Sequence, residues 1–436
     1  MGFKPILVAA AIAFVVSAVA SQFLPGGGTP PTSAATSTST KIAVGTSYSS
    51  LLDATDRRID ALRSRADARG DDWLTRMHLA AALLERASSS HSMEDYAAIE
   101  HVLDEAFAIA RDGSGPLMVA AQFNISIHRL EAAEHYLDKI DRRAVPRRDD
   151  VVLARMLRGQ IALQRGQYDA ALAALNEVAE VEPAVAAVEL ALYHAKTGEP
   201  AQAEALLEQA LDKTSAKDPR RRAWIMLQLG IIALDRGAPL VAMEHLLGAD
   251  AVIDGWWLVQ EHIAEAHDRL GNHAESIAMY EALVASAELP QHMDALALAY
   301  QHADRTDEAE ALIARAGELW DQQLVRFPES AMGHGLQHHL QFGTPQRALE
   351  LALANHALRP GGDADVALAR AYMKMGKASE ALAVAQRALA TPYRTAGLHD
   401  VASKAHAVLG HTAAAQEQEI LRAAINPSYT GDEHAH

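Results

Sequence analysis

The chain of 436 residues is half hydrophobic, has 5% aromatic residues and carries a formal net charge of -17. That acidic balance argues against a general binder of nucleic acid or anionic membranes, since both need a basic surface. Without cysteine there are no disulfides, thiolate metal sites or cysteine nucleophiles.

Residues 1–20 read as a signal peptide. Lys4 precedes an apolar run from Ile6 to Val16, and Ala18-Val19-Ala20 offers a small-x-small cleavage pattern, so the mature chain is expected to begin at Ser21. The run is shorter than the ~20 residues that span a bilayer; an uncleaved membrane anchor is the alternative. The expected location is therefore beyond an inner membrane, in the periplasm, or tethered there with the rest of the chain facing it. Residues 21–46, from the Pro25–Pro31 stretch into a Ser/Thr/Ala run, lack the apolar content to fold and read as a disordered linker. Residues 47–72 place Leu51, Leu52, Ile59 and Leu62 on one side and Asp56, Arg57, Arg58 and Arg65 on the other, which predicts an N-terminal capping helix. Residues 430–436 form a polar, flexible tail.

Between these ends the chain repeats itself. In the unit from Arg158 to Pro183, Gly159 and Ala171 are small enough for two helices to approach closely. Gly166-Gln167 breaks the first helix, because glycine makes the backbone reversal at least cost. Ala171, Leu172, Leu175, Val178 and Ala179 give the second helix one apolar stripe, and Pro183 closes it. The same three marks are a small residue, a break seven on and a small residue twelve on. They recur at Ala191/Gly198/Ala203, Gly230/Gly237/Ala242, Ala264/Gly271/Ser276 and Ala297/Asp304/Ala309. Leu336/Gly343/Ala348, Ala369/Gly376/Ala381 and Ser403/Gly410/Ala415 follow, with Ala121/His128/Ala133 upstream. Successive units start 32 to 39 residues apart. A helix pair this small cannot bury both its apolar sides, so it must stack on its neighbours.

This period and these marks resemble the tetratricopeptide repeat, a helix-turn-helix unit of ~34 residues. The resemblance covers residues 73–429, about ten units. It implies an all-α, right-handed superhelical solenoid, elongated, in which each repeat touches only its neighbours. The first-helix tyrosine of the pattern is kept at Tyr300 and Tyr372, while His194, His267, His339 and His406 occupy that slot elsewhere.

In the resembled family the first helices line the concave side. The residues three before, one after and four after each small mark share one face. In the front half that face is apolar or amide, with Met118 and Gln122, Met156 and Gln160, Leu192, and then Leu227, Ile231 and Leu234 as candidate partner-binding residues. Further back it turns polar, starting from Glu261 and Glu265, of which Glu265 is also a candidate partner-binding residue. The competing reading is that the outer two residues of each trio are core, with Ile231 in the slot least suited to it. His334 with His338, His262 with Glu265, and His434 with His436 are the histidine pairs, none a full set of metal ligands by spacing. Asp71-Asp72 reads as a helix N-cap. Arg142-Arg143, Arg147-Arg148 and Arg220-Arg221-Arg222 read as solvated loop charges, and Trp256-Trp257 as core. No catalytic motif, cofactor motif or metal set is expected.

The expected function is a non-enzymatic scaffold or adaptor of the cell envelope that binds a partner protein or extended peptide in its concave groove. A His-rich metal-handling protein and an accessory subunit of a polysaccharide export or synthesis complex are the alternatives.

Overall fold

The computed structural model describes residues 46–90, 92–111, 113–143 and 147–429. The signal segment, nearly all of the linker, the tail and the His434/His436 pair lie outside the described residues. Two-residue strands β1 (Thr46–Ser47) and β2 (Ile253–Asp254) apart, the described chain is helical. Helix α1 is Tyr48–Ala68, started by the Ser47 hydroxyl, which accepts from the Ser50 amide. Ten helix pairs follow among the described residues. They are α2/α3 (Trp73–Ser90, Met93–Ile109), α4/α5 (Leu117–Ser126, Leu130–Asp141), α6/α7 (Arg148–Gln164, Tyr168–Val181), α8/α9 (Pro183–Lys196, Pro200–Lys213) and α10/α11 (Pro219–Asp235, Pro239–Val252). Then come α12/α13 (Trp257–Arg269, His273–Ser286), α14/α15 (Pro290–His302, Thr306–Arg326), α16/α17 (Pro328–Gln341, Pro345–Leu358), α18/α19 (Gly362–Lys374, Ala378–Leu389) and α20/α21 (Ala396–Val408, Thr412–Ile425).

The three sequence marks have geometric causes. An ideal Cβ built on Gly230 would sit 2.7 Å from Leu246 Cγ and Cδ2, and one on Gly159 would sit 2.9 Å from Leu175 Cδ2. The small mark is therefore the floor of a hole filled by the second helix's leucine. The break residue takes the left-handed conformation, with φ between 69° and 81° at Gly166, Gly198, Gly237, Gly271, Gly376 and Gly410. His128 and Asp304 adopt it without being glycine, at φ 62° and 59°. Gly343 is the departure, its turn made without a positive φ. Pro183 acts one step later than expected: like Pro200, Pro219, Pro239, Pro290, Pro328 and Pro345, it lies in the first turn of a helix rather than closing the one before. There a missing N–H costs nothing and the fixed φ suits a helix start.

The expectation that each repeat touches only its neighbours is corrected by the structure. The superhelix coils back until distant repeats meet. β1 pairs in parallel with β2, Thr46 opposite Ile253. Tyr48 Oη donates to the Ser89 carbonyl at 2.6 Å, and Trp257 Nε1 donates to the same oxygen. Arg326 bonds Glu94 at 3.0 Å and Arg129 pairs with Glu329 at 3.4 Å. Further along, the Gly362 amide donates to Tyr168 Oη at 3.0 Å, and the Arg394 amide to the Lys196 carbonyl at 2.9 Å. One apolar core joins residues 117–193 to residues 336–405. Backbone approach at this seam depends on glycine, since a Cβ on Gly361 would lie 2.9 Å from the Gln164 carbonyl oxygen.

The basic residues at the start of α10 are also corrected. They are staples rather than solvated loop charges. Arg220 pairs with Glu85 and donates to Thr55 Oγ1 at 3.2 Å; Arg221 donates to the Ala184 carbonyl; Arg222 donates to the Leu211 and Thr214 carbonyls. Trp256 and Trp257 are buried in the core, and Asp72 caps α2 by accepting from the Thr75 amide at 3.1 Å.

Candidate binding chamber

The first helices α6, α8 and α10 stand side by side along the inner face, and α18, the start of α20 and the end of α21 return across from them. Between them lies a chamber of about 680 Å³. Its walls are aliphatic, with Leu163, Leu192, Ile231 and Ile232 from the front repeats and Val366 and Ile425 from the back. Three buried polar side chains, one per front helix, also line it: Gln160, Glu189 and Gln228, at 4%, 2% and 3% exposure. They form its floor. The more exposed Lys196, Glu199, Arg236 and Asp363 lie nearer the opening.

Burial without a compensating cation pushes the Glu189 carboxyl up to about 8, and the Gln160 amide beside it opposes this. Gln160 stands near Glu189 without reaching hydrogen-bond geometry, because both polar atoms of its amide, like Glu189 Oε1 and Gln228 Nε2, make no hydrogen bond. The cations nearer the opening are already engaged. Lys196 Nζ meets Asp363 Oδ1 at 2.8 Å, Arg236 pairs with Glu204, and Arg394 Nη1 donates to the Thr391 and Tyr393 carbonyls at 2.6 Å.

Of the residues singled out from the sequence, Gln160, Leu192 and Ile231 line this chamber. Met156, Leu227 and Leu234 are wholly buried in the interhelical core. Gln122 is buried and Met118 half-buried on α4, away from the chamber. Glu265 is buried in a different polar nest, where it accepts from Arg269 Nη2 at 2.7 Å and bonds His262 Nδ1 at 3.0 Å. Sequence projection missed Glu189 and Gln228. The lining stripe runs two before, one after and five after the small mark, whereas the residue three before it points between the helices. The signal was present, since each is a lone polar residue inside an apolar helical run.

Among the described residues, the histidine pairs resolve into packing. His338 Nδ1 bonds Asp294 Oδ1 at 2.7 Å, Trp320 Nε1 donates to the other carboxylate oxygen at 2.8 Å, and His334 stacks on Trp320. In the tyrosine slot, His194 bonds Glu199 at 2.6 Å, and His267 and His406 bond Asn272 and His411, each five residues on. These bonds tie the break to the helix before it. Among the described residues no three His, Asp or Glu side chains converge as metal ligands.

Tetratricopeptide repeat models match residues 153–185, 184–215 and 366–397. No curated protein matches the sequence. Similar solved structures include a tetratricopeptide repeat protein from Parabacteroides merdae, 17% identical over 55% of this chain and 91% of that one, with a TM-score of 0.34. A thermophilic TPR protein from Thermus thermophilus is 18% identical over 47% of this chain and all of its own, with a TM-score of 0.33. The human IFIT1 dimer with m7Gppp-AAAA is 13% identical over 87% of this chain and 95% of that one, at 0.40. The repeat marks, the ten helix pairs of the described residues and the three family matches agree on a protein built of tetratricopeptide repeats.

Proposed function

We propose that this protein is a non-enzymatic scaffold of the cell envelope that holds an extended segment of a partner protein in its concave groove, with the chamber as part of the path. Tetratricopeptide repeats mark a protein–protein interaction scaffold. The observation that carries the groove reading is the chamber itself: aliphatic walls around a few polar groups, the composition of a binding cavity rather than of a packed interface. The envelope location rests on the Lys4 to Ala20 pattern in the sequence. Among the described residues no helix is long and apolar enough to cross a membrane.

The test is partner capture from the envelope fraction with the wild type, Leu192→Glu and Ile231→Glu. Leu192 is half-buried and lines the chamber, so a carboxylate there leaves the fold intact while disrupting a desolvated contact, a loss of ~2 kcal/mol or more at an interface centre. The expected result is lost capture with unchanged melting for Leu192→Glu. Undiminished capture by both variants would place the partner elsewhere.

A further inference from the structure

We infer that the chamber takes an uncharged, amide-bearing side chain from the bound segment and that Gln160, Glu189 and Gln228 read it. This rests on the peptide reading of the groove and adds what the groove selects.

Three observations carry it. Each of the three side chains is more than nine-tenths buried, each comes from a different repeat, and all line one cavity. Four of their polar atoms, Gln160 Nε2 and Oε1, Glu189 Oε1 and Gln228 Nε2, have no hydrogen-bond partner. Leaving a buried polar atom unsatisfied costs ~1–3 kcal/mol. The three side chains line one cavity, so a ligand bound there, with these side chains turned toward it, would relieve that cost.

The chemistry of the floor narrows the ligand. The Gln160 and Gln228 amides offer donors, and the Gln160 oxygen offers an acceptor. Glu189 has no cation against it and, held up by burial, is neutral at pH 7, so its carboxyl both donates and accepts. A primary amide presents two donors and an acceptor and can answer this mixed set. A carboxylate would bring a charge into a floor without a cation, because the cations of the chamber are engaged by Asp363, Glu204 and the Thr391 and Tyr393 carbonyls. An ammonium only donates and would leave the Gln160 and Gln228 amide donors unanswered. A purely aliphatic chain would fill the walls of Leu163, Leu192 and Ile231 but leave the four atoms unsatisfied. A chamber of about 680 Å³ is the size of a site for a short segment, with the amide side chain at its floor.

The probes are three blocked tripeptides, acetyl-Leu-X-Leu-dimethylamide with glutamine, glutamate or methionine at X, so that only the glutamine peptide carries a primary amide; each is titrated into the full chain carrying labelled isoleucine methyls. Ile231, Ile232 and Ile425 line the chamber and report occupancy directly. The glutamine peptide is expected to move those methyls and to bind at least ten-fold more tightly than the other two. That preference should disappear in Glu189→Leu and in Gln228→Met, two variants that place apolar groups where polar ones are buried. If the three peptides bind alike, or if both variants keep the glutamine preference, the inference is overturned while the peptide reading stands. If no peptide reaches the isoleucines at millimolar concentration the inference is also overturned, and the peptide reading is decided separately by partner capture.

Discussion

Lys196 and Asp363, 167 residues apart in sequence, form an ion pair of 2.8 Å, and the same Asp363 oxygen accepts from Tyr393 Oη at 2.7 Å. This junction ties the fourth helix pair to the ninth and closes one side of the chamber. Both members of the ion pair are partly exposed, at 28% and 39%, so solvent screens it. Tyr393 is buried and packs against Tyr168 across the seam, ring centroids 6.3 Å apart. The packing, not the charge, holds the turns together.

Lys196→Ala should therefore cost less than about 1 kcal/mol, in line with exposed ion pairs. Tyr393→Ala should cost about 3–5 kcal/mol, the range for emptying a large aromatic site. Gly361→Ala should separate the turns by a different route, since its Cβ meets the Gln164 carbonyl oxygen. Urea unfolding gives the energies and X-ray scattering the opening. A Lys196→Ala protein as unstable as Tyr393→Ala would reverse the assignment.

The break positions give a second prediction. Gly376 has φ 71° and open space around its missing Cβ, so Gly376→Ala isolates backbone strain from steric clash. It should destabilise by about 1–2 kcal/mol. Asp304 already carries that strain at φ 59°, so Asp304→Gly should be neutral or stabilising by up to ~1 kcal/mol. Opposite signs for the two changes in chemical denaturation are the expected outcome, and a stabilised Gly376→Ala would refute the left-handed turn.

The Gly230 and Leu246 pair provides a third. A methyl at Gly230 would lie 2.7 Å from a leucine that is wholly buried, so Gly230→Ala should cost about 1–3 kcal/mol by overpacking. Adding Leu246→Ala removes the clash and leaves a cavity, so the double variant should be more stable than the sum of the two losses implies. A double-mutant cycle with no coupling would mean that the two residues do not share the site.

How much of the fold and of the chamber is legible in the sequence follows from which interactions are local. The small mark, the break and the helical stripe are set within some thirty residues, so the roles of Gly159, Gly166 and Leu175 can be read from the chain itself. The seam cannot, because Lys196 and Asp363 carry no shared pattern across five repeats and both read as ordinary surface charges. The chamber is partly legible. Gln160, Leu192 and Ile231 sit one residue after the small mark and point inward, as projected. The projected face lies a fraction of a turn off, which places Met156 and Leu227 on it and leaves out Glu189 and Gln228. A single-helix projection cannot tell which edge of an apolar stripe its neighbours will cover.

Glu189 gives the last prediction. Its ordinary value is 4.5 and burial raises it to about 8 in the folded chain, with the Gln160 amide as the opposing influence. Below pH 4.5 the carboxyl is protonated in both folded and unfolded chains and contributes no pH dependence. Between about 4.5 and 8 the folded chain keeps the proton while the unfolded chain releases it, so stability falls as pH rises. Above about 8 both forms are ionised and the loss levels off. Glu189→Gln keeps the shape and polarity but cannot ionise, so its stability minus that of the wild type should climb through this window and then flatten. The total climb should be a few kcal/mol, as a shift of this size implies. Lys196, Glu199, Asp235, Arg236, Asp363 and Arg394, which line the same chamber, are present in both proteins and largely cancel in the difference. The measurement is urea unfolding of both proteins from pH 4 to 9. Parallel curves across that range would mean that Glu189 is ionised in the folded chain and that the floor of the chamber is not neutral.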